Sequence, residues 1–259
     1  MVAGKRKNRR IMKWKLGGSL FVIAVCQLFL WKSGWMADGY HAVMKQEFSE
    51  TELKERGIPE SLIELYDRNE EARQFVLDYP EYKNTHAAID ITDEVKKGTI
   101  PLFLQWDERW GYESYGEDFL AISGCGPTAL SMVYTGLTGH TDLNPLKMAQ
   151  LAEENGYYVK GSGSAWSMMT GLAKQIGLSS KEMVFDEQHI LQALKNGHPI
   201  ICIMGVGDFT TSGHFIVLTG LAANGEIIVH DSNSRKNSGK TWKLERLMSQ
   251  IRNLWEFQM

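Results

Sequence analysis

One stretch carries the residue types that nucleophilic chemistry needs: Ser123-Gly124-Cys125-Gly126-Pro127-Thr128-Ala129-Leu130-Ser131-Met132-Val133. Pro127 reads as the first position of a helix, where the N–H it lacks would be unpaired anyway. Ala129, Leu130, Met132 and Val133 give that helix a buried face. Cys125 is thereby placed at a helix N-terminus, where the dipole and free backbone N–H groups favour an anion and lower a thiol's pKa. The flanking glycines let backbone and substrate approach the sulfur. The same residues would also make a small buried turn, since cysteine is often core.

A thiol nucleophile needs a base, and the base needs an orienting partner. Among the seven histidines, His41 and His86 fall in a polar N-terminal segment, and His140, His189 and His198 in helix or turn contexts. His214 differs: it follows the glycine-rich loop Gly205–Gly213 and opens an apolar strand, a position well suited to face a cleft. The strands His214–Gly220 and Glu226–Asp231, joined by an Ala222–Gly225 turn, read as a hairpin. Position 214 then lies opposite roughly 231 to 235, which brings both Asp231 and Asn233 within reach of its ring. Either side chain suits the orienting role, and Asp231 would also stabilise an imidazolium. His230 would point to the opposite face. Gln105, with the Cys125 backbone N–H, is the candidate donor to a tetrahedral intermediate's oxygen. A lone glutamine is usually structural, and what singles this one out is the resemblance that follows.

The segments PLFLQWDERWGY, SGCGPTALSMV, GHFIVLTG and HDSNS together resemble the bacterial C39-like peptidase family, within the papain-like cysteine peptidases. The resemblance covers residues 99–259. It implies Cys125 as nucleophile, His214 as general base and acid, Asp231 as orienting acid and Gln105 in the oxyanion hole. It also implies a thioester intermediate without a metal or other cofactor. Relatives often carry Asp-Pro after the second hairpin strand, where this chain has Asp231-Ser232. The best-known relatives are domains of ABC exporters that cut leader peptides after two glycines. This sequence shows no Gly-x-x-x-x-Gly-Lys-Ser/Thr loop, so that substrate is not carried over.

The elements that must position these residues read as an α+β domain, with N-terminal helices packed on an antiparallel sheet. Ile100–Trp106 reads as a short strand. Helices are expected over Pro145–Asn155, Ala165–Ile176, Glu187–Lys195 and Leu244–Ile251, and a buried strand over Ile200–Met204. Residues 37–98 form a polar, helical stalk or collar, with Ser61 as an N-cap and Tyr79-Pro80 ending its apolar run. Trp106, Trp110, Tyr112, Trp166 and Phe209 are aromatic candidates for a cleft wall. Trp166, Phe209 and Asp208, whose carboxylate would attract an amino group, are the candidate substrate-binding residues.

Charge is unevenly distributed. Residues 1–15 hold seven Lys and Arg and no acid, so the remaining 21 bases face 31 acids. A chain this acidic outside its tail is unsuited to nucleic-acid binding. The 16 uncharged residues between Lys15 and Lys32, flanked by tryptophans, read as a signal anchor over 16–36, with the basic tail inside and residues 37–259 outside the cell. Cys26 lies in that segment. Cys202 sits in the buried strand, which leaves Cys125 without a disulfide partner, and no Cys/His/acid spacing reads as a zinc site. The sequence thus predicts a membrane-tethered, outward-facing thiol hydrolase acting on a peptide or protein. Its rivals are a catalytically silent envelope-binding module of the same fold, and a peptidoglycan amidase or acyl transferase using the same residues. Oligomeric state is open.

Overall fold

A computed structural model describes residues 47–86 and 88–259. The expected tail and anchor (residues 1–36) and His41 lie outside the described residues. Among those described, no helix is long and apolar enough to cross a membrane. Residues Glu50–Met259 form one compact unit.

Its central element is the helix that begins at the cysteine. Helices α1 (Glu50–Glu55), α2 (Glu60–Arg68) and α3 (Arg73–Tyr82) come first, and the single turn α4 (Leu120–Ser123) leads into α5 (Cys125–Thr138). Helix α5 is buried nearly all round, from Gly126 to Gly136, as suits a helix that carries no charged residue. It stops at Gly139, whose φ of 78° suits a left-handed C-terminal position. Helices α6 (Pro145–Glu154) and α7 (Met168–Gln175) pack beside it. The two-residue strands β1 (Ser114–Tyr115), β2 (Asp118–Phe119), β3 (Tyr158–Val159) and β4 (Gly163–Ser164) form two small ribbons.

A six-stranded sheet follows. It comprises β5 (Ser179–Glu182), β6 (Ile200–Met204), β7 (His214–Leu221), β8 (Ile227–Asp231), β9 (Thr241–Trp242) and β10 (Ile251–Gln258), in the order β5-β10-β6-β7-β8-β9, every pair antiparallel. Side chains alternate across it. Ile201, Ile203, Phe215, Val217, Trp255 and Phe257 pack with α5, α6 and α7, while Ile200, Cys202, Met204, Ile216, Leu218 and Val229 pack with α8 (Glu187–Lys195) and α10 (Leu244–Met248). A short turn, α9 (Arg235–Ser238), sits between β8 and β9.

The α+β architecture and the antiparallel sheet match the sequence reading, and five local expectations need correction. Ile100–Trp106 is no strand; it is irregular chain, pinned by bonds such as Gln105 N–H to Ser232 O at 2.8 Å. Pro127 is the third residue of its helix, still inside the first turn where its missing N–H is harmless. Pro80 lies within α3, which runs on to Tyr82, and the residue capping α2 is Pro59, not Ser61. The expected last helix ends at Met248, and the residues after Gln250 become β10, a strand inside the sheet.

Candidate active site

Three elements converge at the N-terminus of α5. Gly124 takes the N-cap position with no side-chain cap, which leaves the Gly126 N–H of the first turn to the sulfur. The groups that act on the Cys125 thiol are the His214 ring and the backbone N–H groups of Phe215 and Gly126. His214 opens β7, and its Nε2 meets Asp231 Oδ1 at 2.7 Å, which leaves Nδ1 as the nitrogen that faces Cys125. In the hairpin register Ile216 opposes Asp231, so His214 and Asp231 are diagonal neighbours, a separation that long side chains bridge.

Of the two candidates Asp231 and Asn233, it is the Asp231 side chain that meets the ring. Its Oδ1 also accepts the Asn233 backbone N–H at 2.9 Å, and its Oδ2 accepts Asn237 Nδ2 at 2.9 Å. The Asn233 side chain turns away and receives Asn69 Nδ2 at 2.9 Å. His230 faces elsewhere, with Nδ1 on the Pro101 carbonyl at 3.0 Å, as the alternation of the strand requires.

The electrostatics follow from these contacts. Burial alone would raise the Cys125 thiol, but the His214 bond and charge and the two backbone N–H groups outweigh it and hold the thiol below its ordinary value. Burial would lower His214, and the Asp231 charge and hydrogen bond together with Cys125 raise it instead. Asp231 is held below the usual carboxylate range: burial opposes this, and His214, Asn237 and the Asn233 N–H overcome it. All three shifts favour a thiolate beside an imidazolium. Cys202, buried with no such partner, is pushed up, which leaves it an inert thiol.

Gln105 is buried beside this set. Its Nε2 donates to Ala121 O at 2.8 Å and Ile122 O at 3.3 Å, and its Oε1 accepts Ser232 Oγ at 3.0 Å. The glutamine thus joins the turn after Asp231 to the turn before Cys125. Trp106 stands next to it, with Nε1 on Asn233 O at 3.2 Å.

A role that composition hid belongs to the ribbon β3–β4. Gly163 has φ 76°, and a Cβ there would meet Ser123 O at 2.8 Å; a Cβ on Gly126 would meet Ser164 Oγ at 2.7 Å. Ser164 also pairs with Tyr115 Oη at 2.8 Å. The Gly161–Ser164 loop is therefore seated on the turn that presents Cys125, for which the signal was its glycine spacing.

The three residues expected to touch substrate part company. Trp166 remains 47 % exposed, edge-on to Trp255 with centroids 6.1 Å apart. Phe209 is packed into the α8 face of the sheet against Trp242. The Asp208 carboxylate is occupied by Arg246 at 2.6 and 2.8 Å and by Gln250 Nε2 at 2.8 Å, so it anchors its loop to α10 rather than standing free. Trp106 and Trp110 are core, and Tyr112 stacks on Phe75 at 4.2 Å. Among the described residues no group of His, Cys, Asp and Glu is arranged to hold a metal ion.

A helix-borne cysteine meeting a histidine and an aspartate from an antiparallel sheet defines a thiol-based site on an α+β domain. Residues 97–258 match the model of the Peptidase_C39-like family, and the chain belongs to that family. Among solved structures it is similar to the peptidase domain of Streptococcus ComA, a bi-functional ABC transporter involved in a quorum-sensing pathway. The identity is 20 % and the TM-score 0.40, over 52 % of this chain and 90 % of that one. A comparison with curated proteins gives no match.

Proposed function

We propose that this protein is a thiol-dependent hydrolase that cuts a peptide or amide bond at the outer face of the membrane, through a thioester on Cys125. The observation that carries this reading is the His214–Asp231 bond of 2.7 Å, with Cys125 on the other side of the same ring. The Cys125 thiolate attacks the substrate carbonyl carbon, and the carbonyl oxygen becomes an oxyanion. The Cys125 backbone N–H and the Gln105 amide receive it, the latter by exchanging its longer contact to Ile122 O for the substrate. His214 gives its proton to the departing amine and the C–N bond breaks. Water then attacks the thioester while His214 takes a proton from it, releasing the acid and restoring the thiolate. Asp231 keeps the ring in the tautomer that places Nδ1 at the sulfur and stabilises it when charged. Trp166, exposed and near the ribbon on the Cys125 turn, is the side chain proposed to meet substrate.

The experiment is hydrolysis of a mixed peptide pool by the full chain, followed by mass spectrometry of the products and of the acylated enzyme. Cleavage with an acyl adduct on Cys125, both lost in Cys125→Ala, is the expected result. Cleavage that survives Cys125→Ala overturns the reading. Placement is tested separately: protease added to intact cells removes residues beyond 36, and full protection contradicts an outward-facing domain.

A further inference from the structure

Asp231 is buried, and only one of its partners is the histidine; the other two, the Asn233 backbone N–H and Asn237 Nδ2, lie in the turn that follows it. That turn is gripped from outside by residues that precede the family match. Asn69 caps a short turn between α2 and α3, with its Oδ1 accepting the Glu71 N–H at 3.0 Å. Its Nδ2 is then aimed at Asn233, donating to the backbone carbonyl at 2.8 Å and to Oδ1 at 2.9 Å. The Glu71 carboxylate accepts Ser234 Oγ at 2.5 Å and the Lys236 backbone N–H at 3.2 and 3.3 Å. Ser234 is the N-cap of α9, with its Oγ accepting the Asn237 N–H at 3.0 Å.

Two routes therefore run from one turn of the helical segment to the two carboxylate oxygens. Asn69 fixes Asn233, whose N–H bonds Asp231 Oδ1. Glu71 fixes Ser234 and the start of α9, which carries Asn237 to Asp231 Oδ2. We infer that Asn69 and Glu71 are positioning residues for Asp231, so that the segment over residues 50–86 is part of the catalytic apparatus rather than a spacer. This rests on the proposed Cys125–His214–Asp231 function. A carboxylate that drifts from the ring stabilises the imidazolium less, and less imidazolium at the sulfur means less thiolate below the ordinary thiol range.

The test is the rate of Cys125 alkylation by iodoacetamide from pH 5 to 10 on the full chain. Asn69→Ser keeps a residue suited to capping but is too short to reach Asn233, and it adds no charge. Glu71→Ala and Glu71→Gln lose the same charge, and only the glutamine keeps an acceptor. Expected are rates at pH 6 about fivefold below wild type in Asn69→Ser and Glu71→Ala, the scale of one lost hydrogen bond. Rates above pH 9.5 should be unchanged, and Glu71→Gln should stay near wild type. Profiles that overlay wild type in both Asn69→Ser and Glu71→Ala overturn the inference. So does an equal loss at every pH in both Glu71 variants, which marks general disruption. A wild-type profile no different from an ordinary thiol overturns the functional reading itself, a result distinguishable from the other two.

Discussion

The His214 ring is used from both sides: Asp231 Oδ1 lies 2.7 Å from Nε2, and the Cys125 thiol takes the remaining nitrogen. Both partners of the ring are buried or half-buried, so water does little to weaken either interaction. That single arrangement fixes a tautomer, raises the histidine and lowers the thiol.

Asp231 ties stability to pH. Its folded value lies below the ordinary 3.8, so it contributes stability above that value, and the contribution is lost as pH falls through the lower, folded value. Asp231→Asn removes the charge that answers His214, at a cost of about 3 kcal/mol near neutrality. Thermal melting of the two proteins from pH 7 down to pH 2 should show the gap narrowing below about pH 4. A gap that is constant across this range contradicts the assignment.

Gln105 carries two loads. Gln105→Ala removes bonds to Ala121 O, Ile122 O and Ser232 Oγ, leaving buried groups unsatisfied, which costs about 1–3 kcal/mol of stability. If it also holds the oxyanion, kcat falls by about 10²–10³ while the Cys125 alkylation profile keeps its shape. Steady-state kinetics on a cleaved substrate, paired with alkylation, separates the two. An unchanged kcat removes it from the oxyanion hole.

Gly163 is held in a left-handed conformation with Ser123 O where a Cβ would go. Gly163→Ala therefore combines backbone strain with a clash against the turn that presents Cys125, and costs about 2–4 kcal/mol in urea unfolding. Gly197→Ala, at φ 77° with open space around it, carries the strain alone and should cost less. Equal losses would mean that the contact with Ser123 is unimportant.

Much of the candidate site was legible because the residues proposed to do chemistry also punctuate the chain. Cys125 announces itself by the glycines and the apolar helix, and His214 by the loop before an apolar strand. The hairpin arithmetic reached both Asp231 and Asn233 but not the choice between them. The Asn233 side chain is bonded instead to Asn69, 164 positions away, a partner that local spacing does not reveal. The strand β10 was missed because Ile251, Leu254, Trp255 and Phe257 break the alternation, and the pairing itself shifts register between Ile251 and Asn253. Asp208 and Phe209 looked available in sequence because their partners, Arg246, Gln250 and Trp242, lie more than thirty positions downstream. Residues 100–106 were read as a strand from their apolar pattern, whereas side-chain and single backbone bonds hold them without a ladder.

The most direct test of the central claim is the pH dependence of Cys125 alkylation by iodoacetamide on the full chain. Mass spectrometry assigns the site, and buried Cys202 serves as the unreactive control within the same molecule. A thiolate–imidazolium pair predicts fast labelling that persists well below pH 8.5, the ordinary thiol region, and a return to ordinary thiol behaviour in His214→Ala. Labelling of wild-type Cys125 that rises only through pH 8.5, and is unaltered in His214→Ala, would contradict it.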